Sequence, residues 1–284
     1  VLATNHHDGG YGEGLMEPLF TCETVCLSHS MIAYSETCRC TAIDLEVGKE
    51  SERIHRFAAF RRDTGQKELY AGGQLSAALE RLDMLAEGAE LVLGHNVIAF
   101  DLPVLQAHAP RMRLLRLPAI DTLRLSPLAF PRNPYHRLIK HYKDGQLLRC
   151  APNDPELDAR ICLEVFSEEE AAFKQLQGSN SPLLSAWHWL LSVHPEDRAF
   201  SAFFDAIRQA PPPSEPEGLA AIRQCLQENA CATHINTLLD ADSCANWPMA
   251  YALAWISVAG GNSVMPPWVR HEFPDAARIV RELR

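Results

Sequence analysis

The sequence predicts an α/β protein in which a mixed sheet flanked by helices is followed by a smaller all-α region. Three observations carry that expectation. Segments with two-residue apolar alternation crowd the first part of the chain, at Cys40–Val47 (CTAIDLEV) and Ile54–Arg61 (IHRFAAFR). Strand-like and helix-like stretches then alternate from about residue 74 to residue 176. Beyond Gln177 the spacing is helical throughout.

Each element has its own signal. Residues 1–36 hold HHDGGYGEG and little periodicity, and read as a poorly ordered leader. The chain opens on Val1, as a fragment or processed product would, and Met31 is an internal candidate start. A weaker strand is expected at 68–71 after the first two. Leu75, Ala78, Leu79, Leu82 and Leu85 fall at helical spacing within 74–86. Leu91–Gly94 reads as a short buried strand, and 100–108 as the first turns of a helix. A short strand at 118–121, helices at 122–129 and 135–142, and a longer helix at 155–176 complete a domain placed at 37–178. QGSNSP (177–182) is a break, and PPPSEPEG (211–218) a stiff loop within the helical region at 181–284. Helices are expected there at 183–193, 199–209, 219–232, 247–258 and 276–283. Its five tryptophans, Trp187, Trp189, Trp247, Trp255 and Trp268, read as helical packing in preference to stacking platforms.

Composition narrows the function classes. A chain of 284 residues, 47% hydrophobic, can bury a substantial core. It has no apolar run of membrane-spanning length and no basic-then-apolar start, so a cytoplasmic (intracellular) location with no membrane partner is expected. Nine scattered cysteines then default to reduced thiols. Cys22, Cys26, Cys38 and Cys40 raise a zinc reading, but CxxxC and CxC are irregular for a knuckle, and ordinary cysteines are the expectation. The formal net charge of −10 hides a basic segment: residues 111–149 hold nine Lys/Arg against two Asp. Such a run is either a solvated face or a track for phosphates.

The acids bear most directly on chemistry. Asp44 and Glu46 sit two apart on a predicted strand and share a face, with Leu45 on the other. Two carboxylates so placed repel and resist desolvation, a cost that a shared cation removes. Asp101 lies directly after the apolar run in GHNVIAFDLP (94–103), where a strand hands over to a helix. Alone it would read as a helix cap ahead of Pro103. Asp158 opens the helical run DARICLEVF, on the face opposite much of its apolar stripe. An all-oxygen set with neither His nor Cys selects Mg²⁺ or Mn²⁺, and two such ions suit phosphoryl chemistry.

DLE on the first strand, GHNVIAFDLPVL, and NDPELDARICLEVF after YHRLIKHYK resemble, in that order, the three motifs of the DEDD superfamily of 3′–5′ exonucleases. PYHRLIKHYK, NDPELDA and SVMPPWVRHEFPDAARIVRELR are similar to the members fused to RecQ-like helicases. The resemblance implies a ribonuclease H-like sheet, with 37–178 as the exonuclease domain. It implies Asp44, Glu46, Asp101 and Asp158 as the catalytic, metal-binding acids for two Mg²⁺ or Mn²⁺ ions. Leu45, Asn96 and Phe100 would shape the pocket for the terminal nucleotide. The implied reaction is hydrolysis of terminal phosphodiesters of DNA, expected to be single-stranded, to nucleoside 5′-monophosphates. A helicase domain in cis or in trans is the implied partner.

The chain departs from the family at one position. The usual general base is a His five residues before the last acid or a Tyr four before it; here those places hold Asn153 and Asp154. Asn153 can orient water or substrate but cannot take a proton, and Asp154 can act only if close. His136 and His141, on the preceding segment, are substitutes or phosphate contacts. The departure keeps a second class of function in view, a catalytically weak or inactive nucleic-acid-binding module of a helicase-associated or defence protein. An exoribonuclease is a third, because nothing in the motifs reads the 2′-hydroxyl.

Overall fold

The computed structural model describes residues 39–48, 53–138, 140–143, 146–149, 154–239, 247–259 and 264–283, with only the backbone described within 140–149. The leader expected at 1–36 lies outside these residues. All described residues belong to a unit spanning Ala33–Arg284.

Strands β1 (Cys40–Val47), β2 (Ile54–Arg61) and β3 (Lys67–Tyr70) form an antiparallel meander. Helix α1 (Leu75–Leu85) then crosses over to β4 (Leu91–Gly94), which runs parallel to β1. Helix α2 (Asp101–His108) leads to β5 (Ala119–Asp121), parallel to β4. The sheet therefore has five strands in the order β3-β2-β1-β4-β5, antiparallel on one side of β1 and parallel on the other. Helix α3 (Thr122–Ala129) follows β5 without a break, with Asp121 as its N-cap.

Side-chain alternation in β1 sorts the core. Ile43 and Leu45 join Phe57, Ala59 and Val92 against Ala78, Leu79 and Leu82 of α1 and Leu105 of α2. Cys40 and Ala42 face the other way, with Leu91, Leu93 and Ile120, onto Cys162, Phe166 and Phe173. Those three belong to α4 (Pro155–Ser179), a helix of 25 residues that crosses β1 and β2. Asp44 and Glu46 continue the Cys40 and Ala42 face, so β1 presents its acids to α4.

The remaining helices are α5 (Ser181–Leu190), α6 (Arg198–Arg208), α7 (Glu215–Leu226), α8 (Ala232–Leu239), α9 (Trp247–Ala259), α10 (Pro267–Glu272) and α11 (Pro274–Glu282). They share one core with the α4 side of the sheet. Phe173 of α4 meets Trp187, Phe203 and Phe204 edge-on, at 5.3–5.8 Å between ring centres. Residues 249–256 of α9 are all buried, which suits a helix apolar on every side. Among the described residues no helix is long and apolar enough to cross a membrane. The tryptophans are packed into this core: Trp187, Trp189, Trp255 and Trp268 are buried and Trp247 is half-buried.

Several boundaries depart from expectation for local reasons. The expected break at 177–182 contracts to Asn180, which ends α4 and accepts from Leu183 N to start α5. The expected loop at 211–218 ends at Ser214, because Glu217 accepts from its backbone N and Oγ and starts α7 inside the proline-rich stretch. The helix expected at 219–232 ends at Leu226, and α8 follows as a separate element. The helix expected at 135–142 does not form. Strands β6 (Lys140–Lys143) and β7 (Gln146–Arg149) pair there as an antiparallel hairpin.

Gly94 is required by a close approach. A Cβ added there would stand 2.5 Å from Val97 Cβ and 3.2 Å from Ile43 O. Gly94→Ala is expected to destabilise the chain by roughly 1–3 kcal/mol in urea unfolding. Gly178→Ala on α4, where an added Cβ meets nothing within 4 Å, is expected to be neutral or stabilising by up to about 1 kcal/mol.

Candidate metal centre

Two elements, β1 and α4, bring three acids together at the end of β1. Asp44, Glu46 and Asp158 each offer a carboxylate oxygen, and the three oxygens lie within 4.8 Å of one another. Asp158 stands in the first turn of α4, with Cys162, Phe166 and Glu169 repeating below it at spacings of three and four. It therefore shares the sheet-facing stripe, contrary to the expectation that it opposes the apolar face. The sequence reading missed this because Asp158 and Glu169 are charged members of a buried stripe.

Asp101 reaches the same strand by a different contact. It is the first residue of α2, and Phe100 occupies the cap position without a side-chain bond. Its Oδ1 accepts the backbone N–H of Leu45 at 2.9 Å. Strand β4 stops pairing with β1 at Leu93, so the β1 backbone beyond that point needs another acceptor, and Asp101 supplies it. The charge after the apolar run is thus a cross-element bond. It places the carboxyl beside Asp44, although outside the mutual contact of the other three.

The electrostatics follow from this crowding. Burial, then the carboxylates of Asp158 and Glu46, push Asp44 up to about 8. Burial, then Glu46 and Asp154, push Asp158 up to about 6. Burial raises Glu46 as well, opposed by Arg56, its cross-strand partner on β2. Asp101, only 3% exposed, is held well above the usual carboxylate range by burial and then by Asp44, against the Leu45 N–H. An all-oxygen set whose negative charges oppose one another fits a hard divalent cation, which would offset both repulsion and desolvation.

The other predicted residues are distributed as follows. Leu45 is buried and Phe100 is 41% exposed at the start of α2. Asn96 has a left-handed backbone, φ 70°. Asp154 caps α4, accepting from Leu157 N at 3.3 Å, while Asn153 lies outside the described residues. His136 is not on a helix. It is buried, its Nδ1 is 2.8 Å from Ser126 Oγ, and its ring centre is 5.1 Å from that of Trp268. The His141 side chain lies outside the described residues, as do Cys22, Cys26 and Cys38; Cys40 is buried in the core.

Part of the basic segment is occupied internally. Arg113 pairs with Asp83 and Glu87, Arg124 with Asp197, and Arg137 with Glu272; Arg132 donates to Val258 O. Arg111 and Arg116 are exposed.

Two acids near this centre escaped the sequence reading. Asp121 is 1% exposed at the end of β5, and Glu169 on α4 is fully buried. The Asp121-Thr122 pair at a strand-to-helix junction was the one available signal for the first. Comparison with known proteins adds no relative: the chain matches no family model, no curated protein and no solved structure.

The raised acids fix the sign of a pH dependence. Asp44 and Asp158 titrate in the folded chain at about 8 and about 6, above their ordinary 3.8. Between those values the folded state binds more protons than the unfolded state, so stability without metal is greatest in acid and falls as pH rises toward 8. Asp44→Asn is expected to stabilise the metal-free chain by roughly 2 kcal/mol at pH 8 and to change little near pH 4. Chemical denaturation in chelator at the two pH values checks this.

Proposed function

We propose that the chain is a metal-dependent 3′–5′ exonuclease that hydrolyses terminal phosphodiesters of DNA, single-stranded at the end, to nucleoside 5′-monophosphates. The observation that carries the reading is the convergence of Asp44, Glu46 and Asp158, with Asp101 seated on the backbone between the first two. The strand order, antiparallel before β1 and parallel after it, supports the ribonuclease H-like assignment.

In this reading Asp44, Glu46, Asp101 and Asp158 hold two Mg²⁺ or Mn²⁺ ions. When bound, such ions supply Lewis acidity and a water of lowered pKa. Asp44, which has Asp158, Glu46 and Asp101 as neighbouring charges, is the natural shared ligand. Phe100, exposed next to Asp101, offers an apolar surface to the terminal base, whereas the Leu45 side chain is packed on the opposite face of β1 and contributes only its backbone N–H, which holds Asp101. Among the described residues the candidate bases are engaged, His136 with Ser126 and Asp154 with the α4 cap, which leaves the acids themselves to activate water. A helicase domain in cis or in trans is the partner that the resemblance adds to the proposal.

Those same commitments favour one second reading, a nucleic-acid-binding module that does not cleave. It predicts binding that weakens with salt and no product in any metal.

Release of mononucleotides from a 3′-terminal single strand in Mg²⁺ or Mn²⁺ separates the two. Asp44→Ala and Asp158→Ala are each expected to lower the rate at least ~100-fold, about 2.7 kcal/mol of barrier. Wild-type release no faster than that of Asp44→Ala would leave the binding module. Matched DNA and RNA strands in the same assay set the sugar preference.

A further inference from the structure

We propose that Asp121 is a positioning residue for the acid centre: it fixes the loop that delivers Asp101, and through Asp101 the strand that carries Asp44 and Glu46. This rests on the metal-centre reading above. Asp121 itself is not among the clustered acids.

Its bonds show how it acts. Asp121 Oδ1 accepts from Asn96 N at 2.8 Å and from Leu123 N at 3.0 Å, and Oδ2 accepts from Ile98 N at 3.2 Å. Three donors converge on one buried carboxyl; burial pushes Asp121 above the usual carboxylate range, and the N–H groups of Asn96, Ile98 and Leu123 oppose that push. Two of them come from the loop between β4 and α2, which contains no regular element of its own. The next residue reinforces the tie: Thr122 Oγ1 donates to Gly94 O at 3.3 Å and stands 2.9 Å from His95 Nδ1. Residues 94–98 are thus bound at four points to the junction of β5 and α3.

The loop is held in a shape it would not adopt freely. Asn96 is a non-glycine residue at φ 70°, a conformation that persists where surrounding bonds over-determine it. Phe100 N donates to Asn96 O at 3.0 Å and Leu102 N to Val97 O at 3.0 Å, so the fixed loop sets the first turn of α2. Asp101 leaves that turn for Leu45 N. A continuous hydrogen-bonded path therefore runs from Asp121 through the loop and Asp101 to the residue between Asp44 and Glu46.

Glu169 is fully buried on α4, neither carboxyl oxygen has a hydrogen-bond partner, and burial first and then the charge of Asp121 oppose its ionisation. Burial raises both acids above the usual carboxylate range, and of the two only Asp121 has N–H donors that oppose the shift.

The test uses the full chain and Mn²⁺ as probe, with two readouts: the Mn²⁺ midpoint for thermal stabilisation and that for mononucleotide release. Asp121→Asn keeps the volume but replaces one acceptor oxygen with a donor amide. Its Mn²⁺ midpoint is expected to rise about 10–100-fold in both readouts, with kcat at saturating Mn²⁺ within about threefold of wild type. A variant that melts lower but keeps its midpoint within about twofold would show a merely structural role and overturn the proposal. Should the variant fail to fold, hydrogen exchange on the wild type decides: the amides of Asn96 and Ile98 are expected to be as protected as those of β4, and free exchange would overturn the clamp. A wild-type chain that Mn²⁺ neither stabilises nor activates would overturn the metal-centre reading and this proposal together. A responsive wild type with an unshifted variant overturns this proposal alone.

Discussion

Repulsion among carboxylates confined at one end of a strand is the constraint around which this structure is arranged. Three acid oxygens within 4.8 Å, with a fourth buried acid adjoining, oppose folding unless something restrains or neutralises them. The restraints lie in rigid elements. Strand β1 is paired with β2 through its acids and held on its other edge by β4 up to Ala42 and then by Asp101, and α4 is packed through Phe173 and the helices behind it. The Asp158 backbone consequently cannot move away from β1 without moving a 25-residue helix. The all-α region thus acts as the backing that keeps one wall of the acid pocket in place.

The parallel half of the sheet has a second role. Strands β1, β4 and β5 run in the same direction, so their carboxyl ends open on one side, where loops and helix starts gather. Asp101 and Asp121 stand at successive exits of that half. Each is almost completely buried, and each accepts backbone N–H groups in place of solvent. Helix packing alone would leave the segment between β4 and α2 free to vary. The two carboxylates convert it into a defined link between distant strands. Gly94 permits the sharp return, since any side chain there would meet Val97.

Much of this was legible in the sequence wherever local pattern and tertiary environment agree. The bounds of β1, β2, β4 and α3 follow from apolar alternation and from polar or glycine punctuation, and they hold to the residue. The acids were legible because a charge at an apolar junction is anomalous on local grounds. What escaped depends on distant partners. The hairpin β6–β7 carries Asp144-Gly145 between its strands, a turn signal outweighed by helix-compatible residues in HRLIKHY. The orientation of Asp158 was misjudged because its stripe includes Glu169, a charged residue that only the surrounding core makes neutral. Asp121 reads as an ordinary helix cap, and its two bonds to residues 23–25 positions earlier are invisible to any local rule. His136, expected as a substitute base or a phosphate contact, is buried and packs between Ser126 and Trp268.

The most direct measurement is anomalous scattering from crystals of the chain soaked in Mn²⁺. The account predicts density within coordinating distance of Asp44, Glu46 and Asp158, with a ligand contact or a water-bridged contact to Asp101. A well-ordered pocket that stays free of Mn²⁺ at millimolar concentration, with the carboxyls bonded to one another through shared protons, would contradict it.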